Sequence, residues 1–127
     1  MKILIVDDEP LVRKSLGRAC AARGHTVLEA SDGLEGLKTW LEQKPEAVFL
    51  DVLMPGLSGP EVLKRVSEQS QLTPRAWVIL MSAYSGEHNV ATAQQVGADL
   101  FVPKPFDDIF SVVAKAEELQ AKSPRAK

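Results

Sequence analysis

The sequence predicts a single α/β domain in which a parallel sheet carries helices on both of its faces. Five short apolar runs are candidate strands, and each is followed by a segment with the period of an amphipathic helix. Strands that alternate with helices pair in parallel through right-handed crossovers, which place helices on both faces. The length of 127 residues and the hydrophobic content of 45% suit one domain with a substantial core. We therefore expect five strands and five helices in one doubly wound domain.

The candidate strands differ in how apolar they are. Four are continuous apolar runs, which are typical of strands buried on both faces of a sheet. The second in the chain is more mixed and follows Gly24, as expected of an edge strand. In chain order the five runs are residues 3–6, 26–30, 47–50, 77–81 and 100–102.

Between the strands, apolar residues recur at spacings of three and four, and glycine or proline marks most segment ends. The first segment stops at Gly24, the second stops before Pro45, and the third follows Gly59-Pro60, where proline suits the first helical turn. The fourth precedes Gly97, and the fifth is the last helix. The residues that mark the five helices are Leu11, Ser15, Leu16 and Ala19; Leu34, Leu37, Trp40 and Leu41; Val62, Leu63 and Val66; Val90, Ala93 and Val96; and Ile109, Val112, Val113 and Ala116.

Composition narrows the classes of partner and compartment. With 15 basic and 17 acidic side chains, the chain lacks the basic footprint of a nucleic-acid-binding or membrane-surface protein. The single Cys20 excludes an internal disulfide, and no apolar run approaches the roughly 20 residues of a membrane-spanning helix. The first residues run directly into a strand and lack the build of a signal peptide. We expect a cytoplasmic protein that binds neither nucleic acid nor membrane.

Polar side chains gather where four of the predicted strands end. The first strand runs into Asp7 and Asp8, the third into Asp51, the fourth into Ser82 and the fifth into Lys104. In doubly wound folds ligands bind outside the carboxyl ends of the strands, so these side chains are expected to meet at one edge. Each acid alone also fits a turn or a helix N-terminus, where the helix dipole favours negative charge.

The three carboxylates together predict a magnesium site. Converging carboxylates repel and raise one another's pKa unless a cation lies among them, and Mg²⁺ accepts a few carboxylates while retaining waters. Lys104 then supplies a counter-charge for an incoming anion, and Ser82 supplies a neutral donor to the same anion. This combination favours phosphoryl transfer, in which positioning and charge neutralisation do most of the work.

Several other residues are expected to have structural roles only. Trp40, Trp77 and Cys20 lie within apolar periodic runs and are predicted to pack in the core. His25 and His88 have neither metal-ligand spacing nor a paired nucleophile. The charged residues of the third helix are expected to form a solvated face; they include Lys64, Arg65 and Glu68.

Four motifs at these strand ends resemble the receiver domain of the two-component response regulators. They are Asp7-Asp8, the block DVLMPGLSG at residues 51–59, Ser82-Ala83 and Lys104-Pro105-Phe106. The resemblance extends from residue 1 to about residue 122 and implies a flavodoxin-like doubly wound sheet with strand order 2-1-3-4-5. Residues 1–122 are then a receiver domain, and residues 123–127 are a tail or the start of a linker.

The resemblance also implies a role for each site residue. Asp51 is the phosphoacceptor, and Mg²⁺ is held by Asp7, Asp8, Asp51 and the backbone carbonyl of Leu53, with Asp8 as a direct ligand. Lys104 contacts the phosphoryl oxygens and, with Asp51 and Ser82, belongs to the catalytic group. The switch residues are Ser82, which moves toward the phosphoryl oxygens, and Phe101, which changes rotamer. The output surface implied by the family comprises the fourth helix, fifth strand and fifth helix, including Gln94, Asp99 and Phe110.

The resulting hypothesis is a phosphorylation-driven signalling switch rather than an enzyme, since it catalyses only its own phosphorylation and dephosphorylation. Asp51 accepts a phosphoryl group from a sensor histidine kinase or a phosphotransfer protein, and the change alters binding of a downstream protein target or output domain. A weak or phosphorylation-dependent dimer is compatible with this role. Bulky Leu53 and Tyr84 beside the phosphoryl group predict slow hydrolysis, because they offer no base to orient water.

Two alternatives remain open from the sequence. A magnesium-dependent phosphohydrolase with an aspartyl-phosphate intermediate is one, although the haloacid-dehalogenase pattern needs a second acid at the position of Leu53. A receiver-like binding module that is never phosphorylated is the other. Such modules usually lack one of the acids, the hydroxyl residue or the lysine, all of which this chain retains.

Overall fold

The structure is a computed structural model, and it describes residues 1–69, 76–83 and 97–122. Within these ranges the chain forms five strands and four helices. The helix predicted before Gly97 lies outside the described residues, together with Tyr84, His88, Gln94 and the tail. In chain order the elements are β1 Lys2–Val6, α1 Pro10–Ala22, β2 Thr26–Ala30, α2 Gly33–Gln43, β3 Ala47–Asp51, α3 Gly59–Gln69, β4 Trp77–Ser82, β5 Leu100–Pro103 and α4 Ile109–Ala121.

All five strands pair in parallel in the order β2-β1-β3-β4-β5. The predicted doubly wound fold and its strand order are therefore confirmed. β2 lies at one edge of the sheet, as its mixed sequence predicted, and only Ala30 of its five residues is buried. β5 lies at the other edge, and of its apolar residues Leu100 and Phe101 are half-buried while Val102 is buried. The prediction that residues 100–102 are buried on both faces was wrong, because an edge strand has a neighbour on one side only.

Alternate residues of the central strands supply two separate cores. One core lies between the sheet and helices α2 and α3, and the other lies between the sheet and helices α1 and α4. In β3, for example, Val48 and Leu50 face the first core, whereas Ala47 and Phe49 face the second. This follows from the two-residue period of a strand, which sends successive side chains to opposite faces.

The helices bury one face each, with two differences from the predicted apolar faces. Leu11 and Leu34 belong to the predicted periodic pattern, but they are 79% and 61% exposed. Both lie in the first turn of their helix. Trp40 and Cys20 are buried as predicted, and Trp77 is half-buried against the second core.

Candidate functional site

The carboxyl ends of the strands bring the predicted site residues together. Asp51 is the last residue of β3 and Ser82 the last residue of β4. Backbone hydrogen bonds continue the sheet beyond these ends: the Val52 N–H donates to the Met81 carbonyl at 2.9 Å, and the Lys104 N–H donates to the Ser82 carbonyl at 2.8 Å. These hydrogen bonds fix the strand ends relative to one another, so their side chains lie close together at the carboxyl edge of the sheet.

The Lys104 ammonium lies among three carboxylates. Its Nζ is 2.8 Å from Glu9 Oε1, 3.0 Å from Asp7 Oδ2 and 3.5 Å from Asp51 Oδ2. Asp7 is fully buried, and Asp51 and Lys104 are 4% and 8% exposed. Burial alone would disfavour the ammonium form, but hydrogen bonds to Glu9 and Asp7 and the nearby negative charges raise the pKa of Lys104 above its ordinary value. Lys104 is therefore a fixed positive charge at the site.

Asp51 carries an excess of neighbouring negative charge. Burial, followed by the charge of Asp7, raises the pKa of Asp51 from 3.8 to about 7, although Lys104 opposes the shift. A carboxylate that is this hard to ionise is the expected result when acids converge with too little positive charge among them. The arrangement favours either a proton or a further cation at this place.

The acidic residues fit a magnesium ion. One carboxylate oxygen from each of Asp7, Asp8 and Asp51 can be chosen so that all three lie within 4.8 Å of one another. Asp8 is exposed, so this side of the group is open to water. Mg²⁺ keeps several waters and takes one or two carboxylates, so a half-open group of oxygens suits it. When bound there, the ion would supply positive charge to Asp51 and to phosphoryl oxygens beside it.

The predicted block at residues 51–59 forms the loop beside Asp51. The Gly59 N–H donates to the Val52 carbonyl at 2.9 Å, and a Cβ added to Gly59 would collide with the Asp51 carbonyl oxygen. Glycine is therefore required where α3 begins, because the loop packs directly on β3. Leu53 follows two residues after Asp51, and it is 59% exposed.

The predicted switch residues occupy the adjoining strands. Ser82 is 1% exposed at the end of β4, one strand away from Asp51. Phe101 on β5 is half-buried and packs against the core that α2 and α3 cover. Of the output surface that the resemblance implies, Asp99 and Phe110 are described. Phe110 is 48% exposed at the start of α4, whereas the Asp99 carboxylate accepts the Val78 N–H at 2.8 Å.

An open apolar pocket adjoins the site. It has a volume of about 190 Å³ and lies between the first half of α1 and the segment that joins β5 to α4. Lys104 lines this pocket and also reaches the carboxylates, so the pocket and the site share a wall. Its other lining residues are Leu11, Val12, Ser15, Pro105, Phe106 and Ile109.

The contacts of two residues at the site, Glu9 and Arg13, were missed from the sequence. Glu9 pairs with Lys104, and its place as a third consecutive acid could have suggested this. Arg13 donates from Nη1 to the Asp7 carbonyl at 2.8 Å and from Nε to Glu29 Oε1 at 3.1 Å. A cation in the first turns of a helix is disfavoured by the helix dipole, so Arg13 could have been recognised as needing an acceptor nearby.

Comparison with known families matches residues 3–114 to the response regulator receiver domain. The chain belongs to this family. Receiver domains are signalling switches and bind Mg²⁺ at an acidic pocket, and this receiver has a group of three aspartates at the carboxyl ends of its strands. The prediction from the four sequence motifs is confirmed.

Relatives of this receiver include longer regulators. The chain is 35% identical over 103 residues to the transcriptional regulatory protein AfsQ1 of Streptomyces coelicolor, covering 81% of this chain and 44% of that protein. It is 36% identical over 106 residues to the response regulator MprA of Mycobacterium ulcerans, covering 84% of this chain and 44% of MprA. The receiver therefore spans less than half the length of these relatives.

Solved structures share the fold. The receiver domain of the Francisella response regulator 1452 superposes with a TM-score of 0.83 at 26% identity, covering 95% of this chain and 97% of that one. CheY from the CheX-CheY-BeF3-Mg complex of Borrelia burgdorferi gives a TM-score of 0.83 at 28% identity, covering 94% and 89% of the two chains. None of the helices described for this receiver is long and apolar enough to cross a membrane.

Proposed function

We propose that this receiver is a phosphoacceptor switch in which Asp51 takes a phosphoryl group from a phosphohistidine, with Mg²⁺ held by Asp7, Asp8, Asp51 and the backbone carbonyl of Leu53. The observation that carries the proposal is the buried Asp51, which lies 3.5 Å from the Lys104 ammonium and within reach of two further carboxylates. The receiver domain would span residues 1–122, with residues 123–127 as a tail or linker.

The transfer needs an ionised Asp51. A carboxylate oxygen of Asp51 would attack phosphorus while the bond from phosphorus to the donor imidazole breaks, and the electron pair of that bond leaves with the imidazole nitrogen. In the metal-free protein, the raised pKa of about 7 leaves part of Asp51 protonated at neutral pH. Positive charge at the acidic group would favour the carboxylate, and Lys104 would then hold oxygens of the transferred phosphoryl group.

The conformational change would extend from the phosphoryl group into β4 and β5. Ser82 and Lys104 end neighbouring strands that are hydrogen-bonded to each other, so a phosphoryl group that engages both would change the relation between these strands. Phe101 on β5 packs on one core from a half-buried position, and a different rotamer of this side chain would accompany the change at the strand ends. A downstream protein target or output domain would read this change.

A labelling experiment tests the assignment of Asp51. Incubation with Mg²⁺ and a small acyl phosphate should add one base-labile, acid-stable phosphoryl group per chain, measured by intact mass. Asp51→Asn should abolish this labelling while preserving the fold, because it removes the nucleophile and keeps the side-chain shape. Asp107→Asn, at an exposed acid of the segment before α4, is the matched control and should be labelled like wild type. Labelling of Asp51→Asn at the wild-type level would refute the site.

The same proposal assigns the apolar pocket to the phosphodonor, a sensor histidine kinase or phosphotransfer protein. The pocket shares Lys104 with the site, and Leu11 at its edge is 79% exposed, so a protein docked there would present its histidine to Asp51. Leu11→Arg should slow labelling by a phosphorylated histidine protein about tenfold, because central apolar contacts dominate interface energies. Labelling by the small acyl phosphate should not change, since that donor needs no docking surface. Equal slowing with both donors would contradict a docking role.

A further inference from the structure

The contact between Glu9 and Lys104 is the shortest that the Lys104 ammonium makes with the three surrounding carboxylates. Glu9 is the N-cap residue of α1, yet its side chain makes no capping hydrogen bond. Instead its carboxylate turns toward Lys104, and its backbone N–H donates to Asp7 Oδ1 at 2.9 Å. The residue thus closes a small ring of contacts between the start of α1 and the segment after β5.

A phosphoryl group on Asp51 needs donors from Lys104, and an ammonium has three of them. Two already serve Asp7 and Glu9 at hydrogen-bonding distance. Releasing Asp7 is costly because that carboxylate is fully buried, so water cannot replace the hydrogen bond from the ammonium. Releasing Glu9 costs little, since its side chain is 58% exposed and water can replace the ammonium.

We propose that Glu9 is a positioning residue that holds the Lys104 ammonium in the unphosphorylated receiver and releases it to the phosphoryl group. We call the contact between Glu9 and Lys104 the clasp. The proposal rests on the proposed function of Asp51 and Lys104. The clasp competes with phosphoryl oxygens for the same ammonium, so it lowers the affinity of the site for them. It also makes the start of α1 responsive to phosphorylation, because the N-cap side chain is set free when Lys104 turns away.

Binding of beryllofluoride with saturating Mg²⁺ tests the clasp without requiring phosphoryl transfer. Glu9→Gln should bind beryllofluoride roughly two- to fivefold more tightly than wild type by calorimetry, the range that an ion pair with one exposed partner supplies. Glu42→Gln makes the same charge change on an exposed residue at the far end of α2 and should bind like wild type. Amide spectra of each variant establish that the fold is retained.

A second variant separates the clasp from simple charge repulsion. Glu9→Asp keeps the negative charge, but its shorter side chain cannot hold the 2.8 Å contact and is well suited to cap α1 instead. We expect Glu9→Asp also to bind beryllofluoride more tightly than wild type.

Each other outcome overturns a specific part of the proposal. Wild-type affinity in Glu9→Asp with tighter binding in Glu9→Gln would mean that charge alone acts. Equal affinity in Glu9→Gln and wild type, or equal tightening in Glu42→Gln, would refute the clasp while leaving the function of Asp51 intact. Failure of wild type both to bind beryllofluoride and to be labelled would instead refute the proposed function, and the clasp with it.

Discussion

Two clusters of charged groups lie at opposite ends of the parallel strands, and they differ in how their charges are balanced. At the amino-terminal edge, Glu117 of α4 accepts hydrogen bonds at 2.7 and 2.8 Å from Arg23, and its carboxylate lies 2.7 Å from the His25 ring. At the carboxyl-terminal edge, one ammonium faces the carboxylates of Asp7, Glu9 and Asp51, and Asp8 lies beside them. We call these the N-edge cluster and the C-edge cluster.

The two clusters change the pKa of their acids in opposite directions. Hydrogen bonds from Arg23 and His25 lower the pKa of Glu117 to about 2, whereas burial and the charge of Asp7 raise the pKa of Asp51 to about 7. The N-edge cluster is partly exposed and supplies its own counter-charges. The C-edge cluster is largely buried and has one ammonium for four carboxylates, so it favours an added cation. A charged cluster that is poorly balanced by its own residues is thus the better indicator of a functional site.

The largest expected effect is the loss of stability when the ammonium of Lys104 is removed from the C-edge cluster. Lys104→Met should lower the free energy of unfolding of the metal-free protein by about 3 to 5 kcal/mol at pH 7, because Asp7 stays buried without a counter-charge. Urea unfolding measures the change. Lys64→Met, on the exposed face of α3, is the control and should change stability by less than about 0.5 kcal/mol. Equal effects of the two substitutions would show that Lys104 does not hold the cluster together.

The next effect is stabilisation by added Mg²⁺. Mg²⁺ at a hundredfold excess over its dissociation constant should raise the free energy of unfolding of wild type by about 2.7 kcal/mol, because it binds only the folded state. Asp8→Ala should lose most of this gain, since it removes a carboxylate of the acidic group. Glu117→Gln removes an acid from the N-edge cluster and should keep the gain. A full Mg²⁺ response in Asp8→Ala would place the ion elsewhere.

A smaller effect is the dependence of the free energy of unfolding on pH. Folding raises the pKa of Asp51 above its value of 3.8, so the folded state binds more protons than the unfolded state between about pH 4 and pH 7. This contribution makes the metal-free protein less stable as pH rises through that window. Asp51→Asn removes it and should stabilise the protein by about 2 kcal/mol at pH 8, after allowance for solvent screening. The difference should vanish near pH 4, and urea unfolding across this range measures it.

The contribution of the N-edge cluster to the pH dependence of stability should have the opposite sign, and it is the smallest of these effects. The lowered pKa of Glu117 stabilises the protein above pH 4.5, and this stabilisation is lost as pH falls toward 2. Glu117→Gln should therefore destabilise the protein by less than about 1 kcal/mol at pH 7, and salt should reduce the difference because the pair is partly exposed. If Asp51→Asn and Glu117→Gln shifted stability in the same direction, the contrast between the clusters would be wrong.

The sequence predicted the sheet and the members of the site because both follow from position along strands. Continuous apolar runs identified β1, β3 and β4, and the polar residues directly after them had to meet at the carboxyl edge. The exposure of Leu11 could not be predicted, because a helical period identifies a face but not how far each residue on that face is covered. The contacts of Glu9 and Arg13 depend on side-chain direction in three dimensions, which spacing in the sequence does not contain.

Asp7 is fixed by hydrogen bonds that involve its backbone N–H, its backbone carbonyl and its side chain. Its N–H donates to the Ala30 carbonyl of the edge strand, its own carbonyl accepts from Arg13, and Asp7 Oδ1 accepts from the Glu9 N–H. Folding itself therefore orders this segment, so the arrival of an ion needs no further loss of chain entropy there. The affinity of the acidic group for a cation is then governed by the exchange of water and protons for carboxylate oxygens. In calorimetric terms, the heat of ion binding should vary with the ionisation enthalpy of the buffer near neutral pH, because an ion held by Asp51 would displace the proton that its raised pKa favours.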